Sequence, residues 1–271
     1  MSPLVTFVIP VRHPDNARDW ALLRSSLSQT IASISNQTHD DWRAVIVANT
    51  GADLPPLPDR FEVERVTFPP NPVHEIGSAN REAFLEAIRF DKGRRVLMGM
   101  LRARESRFFM VVDDDDLVSA RIVRHVSEHP DANGWTIDHG YLWSDGGRLL
   151  LSHDDFNGHC GTSLIIRSDL YGLPAGLEDA SPDWIKSMLG SHTRIARILA
   201  ERGTPLESLP FRGAVYRVGY RGSHSRTPGL LRTHFLTWKF LRRPRLVLWN
   251  ARQLRLVGPA HRREFGMEAW W

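Results

Sequence analysis

The sequence predicts an α/β fold that begins with parallel strands, passes into a mixed sheet flanked by helices, and ends in basic helices. Three observations carry this expectation. Short apolar runs at 4–10 (LVTFVIP), 44–48 (AVIVA) and 108–112 (FFMVV) have the length and composition of buried strands. A helical pattern separates the first two, and strand, helix, strand with short links implies parallel pairing. Beyond residue 117 the runs shorten and are divided by Gly and Asp turns, as in a mixed sheet. With 271 residues, 42% of them hydrophobic, the chain can bury a sizeable core without disulfides.

After the strand at 4–10, Leu23, Leu27, Ile31 and Ile34 recur at spacings of three and four, predicting a helix over 15–37. The proline-punctuated stretch after the second strand holds an edge strand at 61–68. Two helices follow, over 78–90 and 94–104, and then FFMVV. Strands are expected at 135–143, 148–152 and 162–167. Ser181-Pro182 reads as an N-cap with proline at the first helical position, starting a helix that ends at Gly203. A last strand spans 213–220. The expected division is a domain over 1–226, with halves 1–116 and 117–226, and a tail over 227–271.

The net charge of +4 is unevenly distributed. From residue 221 onward eleven Lys/Arg face only Glu264 and Glu268, so the body is net negative and the tail is a separate basic object. Cys160 is the only cysteine, which suits a reducing compartment. The N-terminal run has no basic leader, and no stretch reaches the ~20 apolar residues that span a bilayer. A cytoplasmic location is expected. Asn36-Gln37-Thr38 matches a glycosylation acceptor by accident in that setting.

FFMVV runs directly into Asp113, Asp114, Asp115 and Asp116. Four adjacent like charges at the end of a buried strand repel one another, and a bound cation would relieve them. In open α/β sheets, ligands bind outside the carboxyl ends of strands. His224, in the RGSHS loop after the last strand, adds an imidazole; carboxylate oxygens of this kind suit Mg²⁺ or Mn²⁺ better than zinc.

These segments, in this order, resemble the family 2 glycosyltransferases, which have the GT-A fold with a Rossmann-like nucleotide-binding half. LVTFVIPVR is similar to their first strand, LSQTIASISNQTHDDWRAVIVANTG to their helix, turn and second strand, and VVDDDDL to their Asp-x-Asp metal motif. The likeness covers roughly residues 4 to 225. It implies inverting transfer of a sugar from a nucleotide diphosphate sugar, UDP-sugar favoured, to a glycan or lipid-linked glycan, with Mn²⁺ or Mg²⁺ bridging the phosphates.

Residue by residue, the resemblance gives Asp115, Asp116 and His224 to the metal. Asp113 and Asp114 go to the nucleotide sugar, although alternation in an extended segment would turn Asp114 away. Pro10, Val11 and Arg12 match the loop after the first strand. Asn49 stands where an aspartate commonly reads the base, and its amide adds a donor. Arg81 and Arg94 are candidates for the diphosphate, and Gly161 and Thr162 for the border of the donor sugar. The acidic pair that deprotonates the acceptor maps to Asp183, or to Asp179 with Glu178. Asp183 in a first helical turn also stabilises a helix by roughly 0.3–1 kcal/mol without catalysis. Trp135, Trp143 and Trp184 are candidate sugar-stacking residues or core, and His153, Asp154 and Asp155 a second metal site or a polar turn.

In the tail, Leu231, His234, Phe235, Trp238 and Leu241 share a helical face, and Leu248, Trp249, Arg252 and Leu256 repeat the theme after Pro244. Such helices can lie peripherally on an anionic inner membrane face, pack on the domain, or do both. The rival readings are a Mg²⁺-dependent phosphotransferase or nucleotidyltransferase, and a non-catalytic glycan-binding protein on the same fold. No nucleic-acid-binding module is recognised.

Overall fold

The computed structural model describes residues 2–73, 80–219, 229–235 and 244–267. Its first half is β1 (Val5–Pro10), α1 (Trp20–Ser35), β2 (Trp42–Asn49), β3 (Phe61–Val66), α2 (Arg81–Arg102) and β4 (Phe108–Val111). Then come β5 (Leu117–Val118), α3 (Ile122–Glu128), β6 (Gly134–Thr136), β7 (Gly140–Ser144), β8 (Leu149–His153) and β9 (Leu164–Arg167). A short α4 (Pro182–Trp184) runs on as a π turn over Ile185–Leu189, followed by α5 (His192–Glu201), β10 (Glu207–Ser208) and β11 (Ala214–Val218). The C-terminal part gives α6 (Leu230–His234), α7 (Pro244–Gln253), β12 (Leu254–Leu256) and α8 (Pro259–Phe265).

Seven strands form the main sheet in the order β10-β6-β9-β4-β1-β2-β3. β1 is parallel to β2 and β4, and β9 is antiparallel to β4 and β6, so a parallel half joins a mixed half. Both faces are covered, which is why β1 and β2 read as continuous apolar runs. Phe7 and Ile9 point into a core shared with Leu23, Leu27, Ile31 and Ile34 of α1. Val8 points the other way, to Val96, Leu97 and Met100 of α2. β3 is half-exposed at the sheet edge, where charged side chains such as Glu62 and Glu64 discourage further pairing.

The expected break near residue 92 does not occur: α2 is one helix through Gly93. The glycine marks a close approach, since a Cβ there would stand 2.7 Å from both Cγ2 and the carbonyl oxygen of Ile185. The helix expected over 182–203 is instead interrupted at Gly190-Ser191, where a Cβ on Gly190 would meet the Arg89 carbonyl. Ser181 caps α4 as predicted, accepting from Trp184 N at 3.2 Å. The strand expected over 135–143 divides into β6 and β7, which belong to different sheets. Gly140, the first residue of β7, leaves room for the Phe156 ring, which a Cβ there would meet.

The second sheet, β12-β8-β7-β11-β5, includes residues of the basic tail. β12 pairs antiparallel with β8, placing Leu254 opposite Leu151. Phe265 and Met267 are buried with Leu117, Trp143, Leu150 and Val215. The described tail therefore packs on the domain. On α7, Leu248 and Trp249 stay 63% and 51% exposed. No helix among the described residues is long and apolar enough to cross a membrane.

Candidate active site: an acidic turn facing three cations

Residues 113–116 form a tight turn rather than an extended segment: the Asp116 amide donates to the Asp113 carbonyl at 3.2 Å. The turn is held from below by α1, where Thr30 Oγ1 donates to the Asp116 carbonyl and Ser33 Oγ accepts from Val118 N, both at 2.8 Å. The Asn36-Gln37-Thr38 stretch clamps the segment that follows. Gln37 donates to Ser119 O at 2.8 Å and accepts from Val123 N at 3.0 Å.

Because the backbone turns, the four carboxylates diverge. Asp113 meets Lys92, with Nζ at 2.5 Å from Oδ1. Asp114 meets Arg12 at 3.5 Å. Asp115 is 8% exposed. Asp116 is fully buried and accepts from Thr162 Oγ1 at 2.6 Å, Cys160 Sγ at 3.1 Å and the Arg217 amide at 3.3 Å.

The titration behaviour follows. Burial works against the charge of Asp113, but Lys92 outweighs it and holds the carboxyl below its usual range. Burial raises Asp114 despite Arg12. Asp115 is pushed well up by burial and then by Asp116 and Asp114. Asp116 is raised to about 7, by burial and by Asp113.

A pocket opens at the carboxyl ends of β1 and β4. Pro10 at the end of β1 and Arg12 just after it line it, with Ile88, Asp91, Lys92 and Arg95 from α2, Asp113, Asp114 and Asp115 from the turn, and Tyr216 from β11. Arg95 is 1% exposed, bonded to Asn49 Oδ1 at 2.7 Å and to Asp91 Oδ2 at 3.2 Å.

Of the residues expected from sequence, Pro10, Arg12, Asp113, Asp114 and Asp115 meet at this pocket. Val11 is buried in the core. Gly161 and Thr162 adjoin it: Thr162 holds Asp116 and accepts from Asp113 N at 2.9 Å, and a Cβ on Gly161 would stand 2.7 Å from Lys92 Nζ. Asn49 lies outside the lining, its amide spent on Phe68 O at 2.7 Å and on Arg95. Arg94 is bound to Asp91 and stacked 4.3 Å from Phe68, while Arg81 is exposed at the start of α2. Asp183, 91% exposed, pairs with Lys186 at 2.7 Å. Asp179 accepts from Gly176 N at 3.1 Å, Glu178 is exposed, and none of the three lines the pocket. His224 lies outside the described residues. Trp135 and Trp143 are core residues at 1% and 3% exposure. Asp154 is tied to Arg212 and His139 at 3.1 Å each.

Sequence reasoning missed Lys92 and Arg95. The signal was the polar stripe Asp91, Lys92 and Arg95 after Ile88, at helical spacing beside the buried Val96 and Leu97. It also missed His192, which shares a small, mainly apolar cavity with Lys92 and Gly161. Its Nε2 is buried without a hydrogen-bond partner, and burial, then the charge of Lys92, pushes its pKa down to about 4.

No family model matches the sequence. No curated protein matches it at a significant level. Among solved structures, the chain is similar to S. aureus TarS 1–349 at 11% identity, covering 79% of this chain and 60% of that one, TM-score 0.43. It is also similar to the Mycobacterium tuberculosis protein Rv0371C in complex with manganese, at 13% identity over 92% of this chain and 100% of that one, TM-score 0.38. A protein described as a nucleotide-diphospho-sugar transferase from Desulfovibrio desulfuricans is 12% identical over 92% and 98% of the two chains, TM-score 0.37. The α/β architecture with its mixed main sheet stands on its own strand order.

Proposed function

We propose that the chain is a glycosyltransferase of the GT-A type, moving a sugar from a nucleotide diphosphate sugar, UDP-sugar favoured, to a glycan or lipid-linked glycan acceptor. One observation carries the reading: Arg12, Lys92 and Arg95 line one pocket together with Asp113, Asp114 and Asp115 at the ends of the central parallel strands. The cations match a diphosphate, which guanidinium and ammonium groups bind through its oxygens. The carboxylates match a divalent ion bound with it.

The acidic turn fits such an ion. Asp115 is nearly buried and is pushed toward protonation by that burial and then by Asp116 and Asp114, a state that a bound Mn²⁺ or Mg²⁺ would reverse. Asp115 would hold the ion, with Asp113 next to it. When bound, the ion neutralises charge developing on the departing nucleotide diphosphate. Arg12, Lys92 and Arg95 orient the diphosphate, and Gly161 leaves room for the donor beside the Lys92–Asp113 pair. Asp116 supports the turn from within. The resemblance assigns deprotonation of the acceptor to Asp183, with Asp179 and Glu178 as alternatives, and inversion follows from a single displacement. Exposed Leu248 and Trp249 beside Arg245 and Arg252 on α7 support peripheral contact with an anionic membrane.

The test is a screen of nucleotide sugars for thermal stabilisation and Mn²⁺-dependent hydrolysis, with Asp115→Ala as control. Stabilisation by one nucleotide diphosphate class, lost in the control, is expected. Stabilisation by nucleoside triphosphates alone would move the reading to a phosphotransferase or nucleotidyltransferase.

A further inference from the structure

The end of α3 carries a cluster that the acidic pocket does not use. His125, Glu128 and His129 each offer a ligand atom, and these atoms lie within 4.8 Å of one another. Their spacing of i, i+3 and i+4 places them on one face of the helix end. None of them lines the acidic pocket.

Two details distinguish this cluster from a chance meeting of polar side chains. His129 Nδ1 lies 2.9 Å from the His125 carbonyl oxygen. A carbonyl only accepts, so Nδ1 carries the hydrogen and Nε2 presents its lone pair, the arrangement that outer hydrogen bonds impose on metal-binding imidazoles. His125 Nε2 is buried with no hydrogen-bond partner, and a buried polar atom left unsatisfied is costly. The His125 ring cannot readily turn to seek one. It stands edge-to-face with Trp135 at 5.1 Å and Phe211 at 5.6 Å, and 4.5 Å from the His129 ring.

We infer that His125, Glu128 and His129 form a binding site for a zinc-class divalent transition metal, separate from the acidic pocket. Two imidazoles and one carboxylate are a borderline-soft donor set, which suits Zn²⁺ rather than Mg²⁺. Glu128 and His129 are exposed, which leaves the fourth position of a tetrahedral ion to water. Glu207, on the adjoining edge strand β10, adds negative charge that reaches His125. The ion would fasten the end of α3 beside β6 and β10.

The test titrates Zn²⁺ into metal-stripped, full-length Asp115→Asn protein, in which the acidic pocket is weakened, and follows Co²⁺ by its visible absorption. One Zn²⁺ per chain and a tetrahedral Co²⁺ spectrum are expected. Both should weaken by roughly 10- to 100-fold or more on adding His129→Ala or Glu128→Gln, since a ligand matters no less than its supporting shell. These two exposed side chains leave the packing of His125 on Trp135 intact. Absence of stoichiometric Zn²⁺ binding to the Asp115→Asn protein, or equal affinity in all variants, overturns the inference.

Discussion

Lys92 Nζ stands 2.5 Å from Asp113 Oδ1, so the middle of α2 neutralises the first aspartate of the turn that ends β4. Both side chains keep contact with solvent, at 24% and 30% exposure. Lys92→Met should therefore cost only about 1–2 kcal/mol of stability. Its larger effect should be on ligand: loss of one of three cations is expected to weaken nucleotide diphosphate binding by about 10- to 100-fold, measured by calorimetry. Unchanged affinity would place the diphosphate elsewhere.

Gly161 keeps this pair reachable. A Cβ there would stand 2.7 Å from Lys92 Nζ and 2.8 Å from Asp113 Oδ2, both at the free ends of side chains. Gly161→Ala should leave stability within about 1 kcal/mol of the parent while displacing the pair. Donor binding should weaken without a matching fall in melting temperature. A parallel fall in both would mean that the glycine serves the fold.

Glu86 ties three elements together, accepting from Arg89 at 2.6 Å and Arg194 at 2.8 Å and pairing with Lys186 at 3.1 Å. Hydrogen bonding from Arg89, then from Arg194 and Lys186, outweighs burial and holds its pKa at about 2 instead of 4.5. The folded value lies below the unfolded one, so the contribution is complete above about pH 5 and is lost as pH falls from about 4.5 toward 2. Glu86→Gln should be less stable than the parent by about 1–2 kcal/mol at pH 7. The two denaturation curves should converge near pH 2–3. Parallel pH profiles would exclude a contribution from this cluster.

Gly93 is the seat of the π turn. Gly93→Ala presses a methyl against the Ile185 carbonyl oxygen and Cγ2, each 2.7 Å from the new atom. Overpacking of about 1–3 kcal/mol should exceed the roughly 1 kcal/mol that alanine contributes in a helix. Net destabilisation in urea is the expected result, and a gain would show that α4 can retreat from α2.

The parallel half was legible because β1 and β2 are unbroken apolar runs on either side of the periodic α1, and the acidic turn announced itself by charge after an apolar run. What escaped was decided by distant contacts. Gly93 looks like a helix breaker until Ile185 is seen against it. Residues 135–143 read as one strand because apolar residues stand at both ends of the stretch, while the chain changes sheets in its middle. Arg95 and Arg94 are equivalent in one dimension, and only the rotation of α2 sends Arg95 to the pocket and Arg94 to Phe68. The turn at 113–116 changes four carboxylates from an alternating row into four different environments, which no strand rule anticipates.

The packing of α8 also sets a timetable. Asn36, at the end of α1, donates to the carbonyl of Arg263, 227 residues later, and Ala120 N is bonded to Glu264 O at 2.8 Å. The segment that follows the acidic turn thus waits for partners made more than a hundred residues later. At roughly 5–20 residues per second, the interval between α1 and its closing helix is on the order of 10 to 50 seconds. Leu117, Trp143, Leu150 and Val215, which Phe265 and Met267 cover, are all made before that helix and must wait for it in turn.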